Sequence, residues 1–146
     1  MAQVNPYLTF KGNCEEAFSF YKEAFGKEFT FIGRFKDMPP APGGEPMSEE
    51  EGNLVMHVSL PISGETNLFG SDAPAAYQDH TVVGNNISIS INAETKEEAD
   101  TLFNSLSAGG TVTMPMDNTF WGAYFGMFTD KFGIAWMVNF DTQPKP

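Results

Sequence analysis

The chain has 146 residues, 41% of them hydrophobic, and a formal net charge of -11; it holds one ordinary domain or two small fused halves with a real core. Acidity of this degree repels phosphate backbones and anionic lipid, so neither nucleic acid nor a membrane is expected as a partner. The single cysteine, Cys14, excludes an intramolecular disulfide and a thiolate metal cluster, and no stretch reaches the roughly 18 apolar residues of a membrane span.

The first residues, MAQVNPYLTF, carry no basic region followed by an apolar run, so a signal peptide is not expected and a cytoplasmic protein is. Val4 to Phe10 reads as a strand, with Leu8 and Phe10 alternating with Tyr7 and Thr9. Asn13 to Phe25 reads as a helix. Asn13 and Glu16 have capping-box spacing, Ala17, Phe18, Tyr21, Ala24 and Phe25 form an apolar stripe, and Gly26 stops it. Lys27–Arg34, Leu54–Leu60 and Thr66–Ser71 read as three further strands. Between the first two lies Lys36 to Gly52, KDMPPAPGGEPMSEEEG. Its four prolines, three glycines and four glutamates predict a mobile surface insertion with no regular element, either a tolerated loop or a flap over a ligand.

The pattern then restarts after a loop over 73–84. Asn86–Asn92 is a strand with Ile87, Ile89 and Ile91 on one face and Ser88 and Ser90 on the other. Thr95–Leu106 is a helix with Thr95 and Glu98 as its capping box, stopped by Gly109 and Gly110. Thr111–Met116, Thr119–Thr129 and Ile134–Phe140 complete a second set of strands. The element order is βαβββ twice. The two capping boxes, Asn13/Glu16 and Thr95/Glu98, stand 82 residues apart, and the EEA triplets Glu15–Ala17 and Glu97–Ala99 keep the same offset. This repetition argues for an internal duplication, with modules at about 1–72 and 85–142 in a single domain.

Paired βαβββ modules resemble the vicinal oxygen chelate superfamily, which includes the glyoxalases, bleomycin-resistance proteins and extradiol dioxygenases. Within it, NPYLTFKGNCEEAFSFYKEAFG, VMHVSL, NLFGSD and TDKFGIAWMV are similar to the PhnB-like group, whose members often carry the label 3-demethylubiquinone-9 3-methyltransferase. The resemblance covers nearly the whole chain. It implies an α+β fold in which each module curls a sheet around a cavity with helices outside, and it implies a homodimer.

If the apolar parity faces the helices, the opposite parity lines the cavity: Asn5, Tyr7, Thr9, Val55, His57, Ser59, Asn86, Ser88 and Ser90. That mixture of hydrogen-bonding and apolar groups suits a small-molecule pocket, although the same parity could simply meet solvent. Trp121 and Tyr124, each with a polar tip, are the expected aromatic wall. Asp72, beside the strand that neighbours His57, is the carboxylate candidate.

Metal-dependent members of the superfamily bind one divalent ion through His and Glu at the starts of the first strands and on the last strands. The resemblance puts those positions at or near Asn5, Asn86 and, after the Asp130–Gly133 turn, Met137. Asn and Met are poor ligands for such ions, so no conventional metal site is expected; one divalent ion on atypical ligands is the alternative. Met137 is then a pocket residue. His57, with Glu65 or Asp72 nearby, is the one candidate general base, set against a cavity-lining histidine with no chemistry. Cys14, at a helix start, is a weak candidate for a reactive thiol. The methyltransferase label finds no support, because no G-x-G-x-x-G follows any strand as a nucleotide-binding α/β sheet requires. The expected protein is a small-molecule binder; the alternative is an enzyme of the vicinal oxygen chelate type.

Overall fold

A computed structural model describes residues 2–38 and 47–142. The fold is α+β, and the chain divides into two compact units, Met1–Val82 and Val83–Pro146. Each has a helix after its first strand and three strands after that.

In the first unit, β1 (Tyr7–Phe10), β2 (Phe31–Arg34), β3 (Val55–Pro61) and β4 (Asn67–Asp72) form a sheet in the order β1-β4-β3-β2. β1 and β4 are parallel and the other pairs antiparallel. A parallel partner needs a crossover, and α1 (Cys14–Phe25) opens that connection. Its stripe Ala17, Phe18 and Tyr21 is fully buried, as are Val58, Leu60 and Leu68 on the strands that α1 packs against. Each large apolar side chain buried in this way contributes about 1.5–3 kcal/mol. Gly70 lets the helix sit close, since a Cβ there would overlap the Phe18 ring. Gly26 ends α1 in the left-handed region at φ 65°, its N–H bonded to the Glu23 carbonyl.

The second unit repeats the order. β5 (Ile89–Asn92), β6 (Thr111–Asn118), β7 (Ala123–Thr129) and β8 (Ala135–Asp141) pair as β5-β8-β7-β6, with β5 and β8 parallel. α3 (Lys96–Ser107) buries Ala99, Leu102, Phe103 and Leu106, and Phe128, Trp136 and Val138 are buried in the same unit. β6 is an edge strand, exposed along nearly its whole length and bulged on either side of Met114. Pro115 within it removes a ladder donor, which protects the edge from pairing with another chain.

Several local expectations are corrected. Asn13 sits at the N-cap of α1, but its side chain makes no cap hydrogen bond; the free N–H groups there go to Asp72. Thr95 does cap α3, accepting from Glu98 N at 3.0 Å, while Glu98 reaches back to Glu94 N at 2.9 Å. Residues 27–30 precede β2 and are not part of it, since the chain leaves the Gly26 cap and makes its first bond to β3 only at Thr30, whose N–H donates to Ser59 O at 3.0 Å. Leu54 caps a short helix α2 (Glu49–Asn53) rather than opening β3, and Val55, expected on the open face, is buried.

The insertion therefore carries structure at both ends, a 3₁₀ turn at Phe35–Asp37 and α2, whose Ser48 cap accepts from Glu51 N at 3.1 Å. Residues 39–46, the centre of the expected mobile loop, lie outside the described residues. The loop over 73–84 holds a second 3₁₀ segment, Ala75–His80. β5 starts only at Ile89, since Ile89 already faces Trp136 and β8 begins at Ala135; Ile87 is left 80% exposed. Thr119–Gly122 forms a turn before β7, closed by Thr119 Oγ1 on Ala123 N at 3.1 Å and by Gly122 at φ 87°.

Candidate functional site

Strand alternation leaves each sheet one face turned away from its helix. In the first unit that face carries an aromatic cluster centred on His57. Tyr7 faces Phe69 across the β1–β4 ladder, Ser59 faces Phe69 and Phe31 across β3, and His57 pairs with Gly33. The His57 ring lies 5.4 Å from Phe69, 5.6 Å from Tyr7 and 6.0 Å from Phe31, centroid to centroid. Both ring nitrogens are engaged: Nδ1 is 3.2 Å from Tyr7 Oη and Nε2 is 3.1 Å from Ser59 Oγ. Tyr7 and Phe31 are about half exposed, at 50% and 49%. The result is an aromatic surface of mutually tilted rings with an imidazole, a phenol and a hydroxyl at its centre, suited to a molecule that stacks and accepts or donates hydrogen bonds.

The absence of glycine side chains matters here too. Gly33 lies beneath Phe31, and a Cβ on it would meet Phe31 Cζ at 2.8 Å. The bare backbone lets the ring lie down beside His57 instead of standing away from the sheet.

The other expected residues are divided between the units. Thr9 lies on the open face of β1, opposite Ser71. Asp72 is at the opposite parity, buried, and fully used by the backbone. Its Oδ1 accepts from Gly12 N and Cys14 N, and Oδ2 from Val55 N, each at 2.9 Å. It ties the start of α1 to the start of β3 and has no place on the binding face. In the second unit, Met137 is on the open face between Ser90 and Met127. Ser88 precedes β5 and is exposed. Trp121 sits in the β6–β7 turn, 60% exposed. Tyr124 is on the helix side: its Oη donates to Asp100 on α3 at 2.5 Å and Lys96 Nζ lies over its ring at 4.8 Å. The hydrogen bond to Asp100 raises the phenol's pKa, with desolvation a lesser cause.

Phe31 and Phe69 were missed from sequence. The signal was present, since 69 has the parity of Ser71 within NLFGSD and the opposite parity to Leu68 and Gly70.

The residues at the superfamily's metal positions do not fit a metal. Asn5 Oδ1 accepts from Asn67 N at 2.9 Å, which fixes the first rung of β4. Asn86 is exposed, and Met137 offers only a thioether. Among the described residues no three His, Cys, Asp or Glu side chains gather as a ligand set. Among the described residues His57 is bonded to Tyr7 and Ser59 and to no carboxylate, and Asp72 is committed to the backbone. Cys14 is fully buried, and burial, then Asp72, then Glu15 push its thiol pKa strongly upward, the opposite of an activated thiol.

Fold and comparison agree on the family. The sequence signature of the Glyoxalase/Bleomycin resistance protein/Dioxygenase superfamily matches residues 3–138, and the chain belongs to that superfamily. Protein YjdN of Escherichia coli K12 is 30% identical, with 93% of each chain aligned. The crystal structure of protein PA1353 from Pseudomonas aeruginosa is 41% identical over 98% of this chain and 100% of that one, with a TM-score of 0.81. A PhnB protein from Bacillus cereus, proposed as a 3-demethylubiquinone-9 3-methyltransferase, is 26% identical over 95% and 99% of the two chains, with a TM-score of 0.74. No helix among the described residues is long and apolar enough to cross a membrane.

Proposed function

We propose that this protein is a PhnB-like, cytoplasmic homodimer that binds a small, partly aromatic organic molecule on the His57 face of its first unit, without a conventional metal ion. One observation carries the reading: three rings, Tyr7, Phe31 and Phe69, surround an imidazole whose two nitrogens are held by Tyr7 and Ser59. Rigid polar groups inside an apolar surface give orientation and affinity together. Thr9 extends the polar rim. Ser88, Trp121 and Met137 belong to the second unit's faces and would contribute a second, less polar surface.

An enzyme reading has one supporting distance, the 3.1 Å between Ser59 Oγ and His57 Nε2, which is that of a nucleophile and its base. His57 Nδ1, however, meets a phenol where such a pair needs a carboxylate to orient and charge-stabilise it. The geometry favours binding over catalysis.

The test is a ligand-observed NMR screen of small phenols, aromatic acids and quinones against the wild-type chain, His57→Ala and Phe69→Ala. Saturable binding that either variant loses supports the reading. Binding that both retain sinks it. Elemental analysis, with thermal shifts in Zn, Ni, Mn and Fe(II), decides the metal question separately. Near-stoichiometric metal, or a shift that His57→Ala abolishes, would replace the binding protein with a metalloenzyme. Sedimentation velocity tests the dimer.

A further inference from the structure

The β6–β7 end of the second unit holds a cavity of about 450 Å³, in the size range of small-ligand sites. Its lining combines the aromatic Phe120, Trp121 and Phe125, the methionines Met114 and Met116 and the acidic Asp117 with the polar Asn118 and Thr119. The rings stand at steep angles to one another. Phe120 and Trp121 are 4.9 Å apart at 90°, and Trp121 and Phe125 are 6.4 Å apart at 61°. Phe120 is 97% exposed and Trp121 60% exposed, a costly way to display two large rings unless something covers them. The turn holds them in place through Thr119, whose Oγ1 both accepts from Ala123 N and donates to its carbonyl at 3.1 Å.

We propose that this cavity is an aromatic cage for an organic cation, of the quaternary or methylated ammonium class. Rings set at steep angles beside one space offer electron-rich faces to a cation from more than one side. Sulfur is polarisable and adapts to a rounded methylammonium surface. Asp117 adds a formal negative charge, and among the described residues no lysine or arginine lines the cavity. The net charge of -11 raises the local concentration of cations and opposes anions. A neutral apolar molecule would use the rings but gain nothing from Asp117 or from the ring faces' charge.

Calorimetric titration of choline into the full-length chain tests this, with 3,3-dimethyl-1-butanol as its neutral isostere. Choline is expected to give saturable binding at least about tenfold tighter than the isostere. Trp121→Ala is expected to abolish it, and Asp117→Asn to weaken it roughly threefold to tenfold. Both residues are exposed, so both variants should keep the wild-type melting temperature, which is measured alongside. His57→Ala is expected to leave choline binding unchanged, which separates this site from the first unit's face. Equal binding of the isostere, unaltered choline binding in Trp121→Ala, or no saturable heat with wild type would each overturn the proposal.

Discussion

The two units share a strand order and a helix position, yet each anchors its buried aspartate differently. In the first, Asp72 reaches back to Gly12 and Cys14, 60 and 58 residues earlier, and to Val55. In the second, Asp130 accepts from near neighbours, Phe132 N, Ile134 N and Trp136 Nε1, all within six residues. One carboxylate staples distant segments, and the other braces the turn that follows it. Their open faces differ in the same spirit. The first unit sets a hydrogen-bonded imidazole among rings, while the second shows Ser90, Met127 and Met137. The frame is repeated, and the chemistry differs on the face that the frame does not use.

The largest effect should come from the staple. Asp72→Ala leaves three backbone N–H groups without their acceptor beneath a helix, and should cost about 3–5 kcal/mol in denaturant unfolding, the range for breaking a buried charged partner. Asp130→Ala should cost less, about 2–3 kcal/mol, because the turn retains the Gly133 N to Asp130 O hydrogen bond at 3.0 Å. Equal losses would show that sequence separation is irrelevant to what these carboxylates do.

Close helix approach sharpens the comparison next. Gly70 lies under Phe18, with the Leu8 carbonyl 3.0 Å from any added Cβ; at Gly126 the same Cβ would be 2.7 Å from Met116 Sδ and 2.8 Å from Phe103 Cε2. Both sites set a buried ring and a backbone carbonyl in the way, Met114 O being 3.0 Å off at Gly126, but the overlap with the ring is deeper at Gly70. Gly70→Ala should therefore cost about 2–3 kcal/mol and Gly126→Ala about 1–2 kcal/mol, both read from thermal or urea unfolding.

The helix starts differ in a titratable way. α1 begins with buried Cys14 and α3 with exposed Lys96. Burial raises the Cys14 pKa above its ordinary value of 9.0, so the folded chain keeps a proton that the unfolded chain gives up. Its contribution to stability is complete below pH 9 and falls as pH rises beyond, by about 1.4 kcal/mol per pH unit. Cys14→Ser should remove that part of the alkaline slope, and the native thiol should resist alkylation at pH 8. Rapid native labelling would refute the buried assignment.

Much of the frame was legible because it is local. Alternation located most strands, helical spacing gave the stripes of α1 and α3, and Gly26 and Thr95 mark boundaries through backbone chemistry that needs no partner elsewhere. Asp72 was misread because its partners lie in another segment. A charged residue at the core parity of Leu68 and Gly70 was the available warning. Tyr124 shares the parity of Phe128, which the core claims, and Trp121 has the other. The two could not line one face of a regular strand, and the turn at Gly122 then separates them further. The His57 cluster was half legible: the histidine and Tyr7 follow from alternation, but their pairing depends on register across three strands.

The smallest effect is the most direct test of what a sequence motif means. Asn13 and Thr95 occupy matching positions, each with glutamate three residues on. Thr95 Oγ1 holds Glu98 N at 3.0 Å, whereas Asn13 makes no side-chain cap bond. Thr95→Ala should cost about 1 kcal/mol, the usual value of an N-cap. Asn13→Ala should change stability by less than about 0.5 kcal/mol, since Asp72 already accepts the N–H of Cys14, the first residue of α1. In the Asp72→Ala background the same Asn13 change should become more costly, because the start of α1 then depends more on an N-cap side chain. A non-zero coupling in that double-mutant cycle would show that two distant residues compete for one cap. Simple additivity would mean that Asn13 never enters the competition, and that the resemblance between the two motifs is one of composition alone.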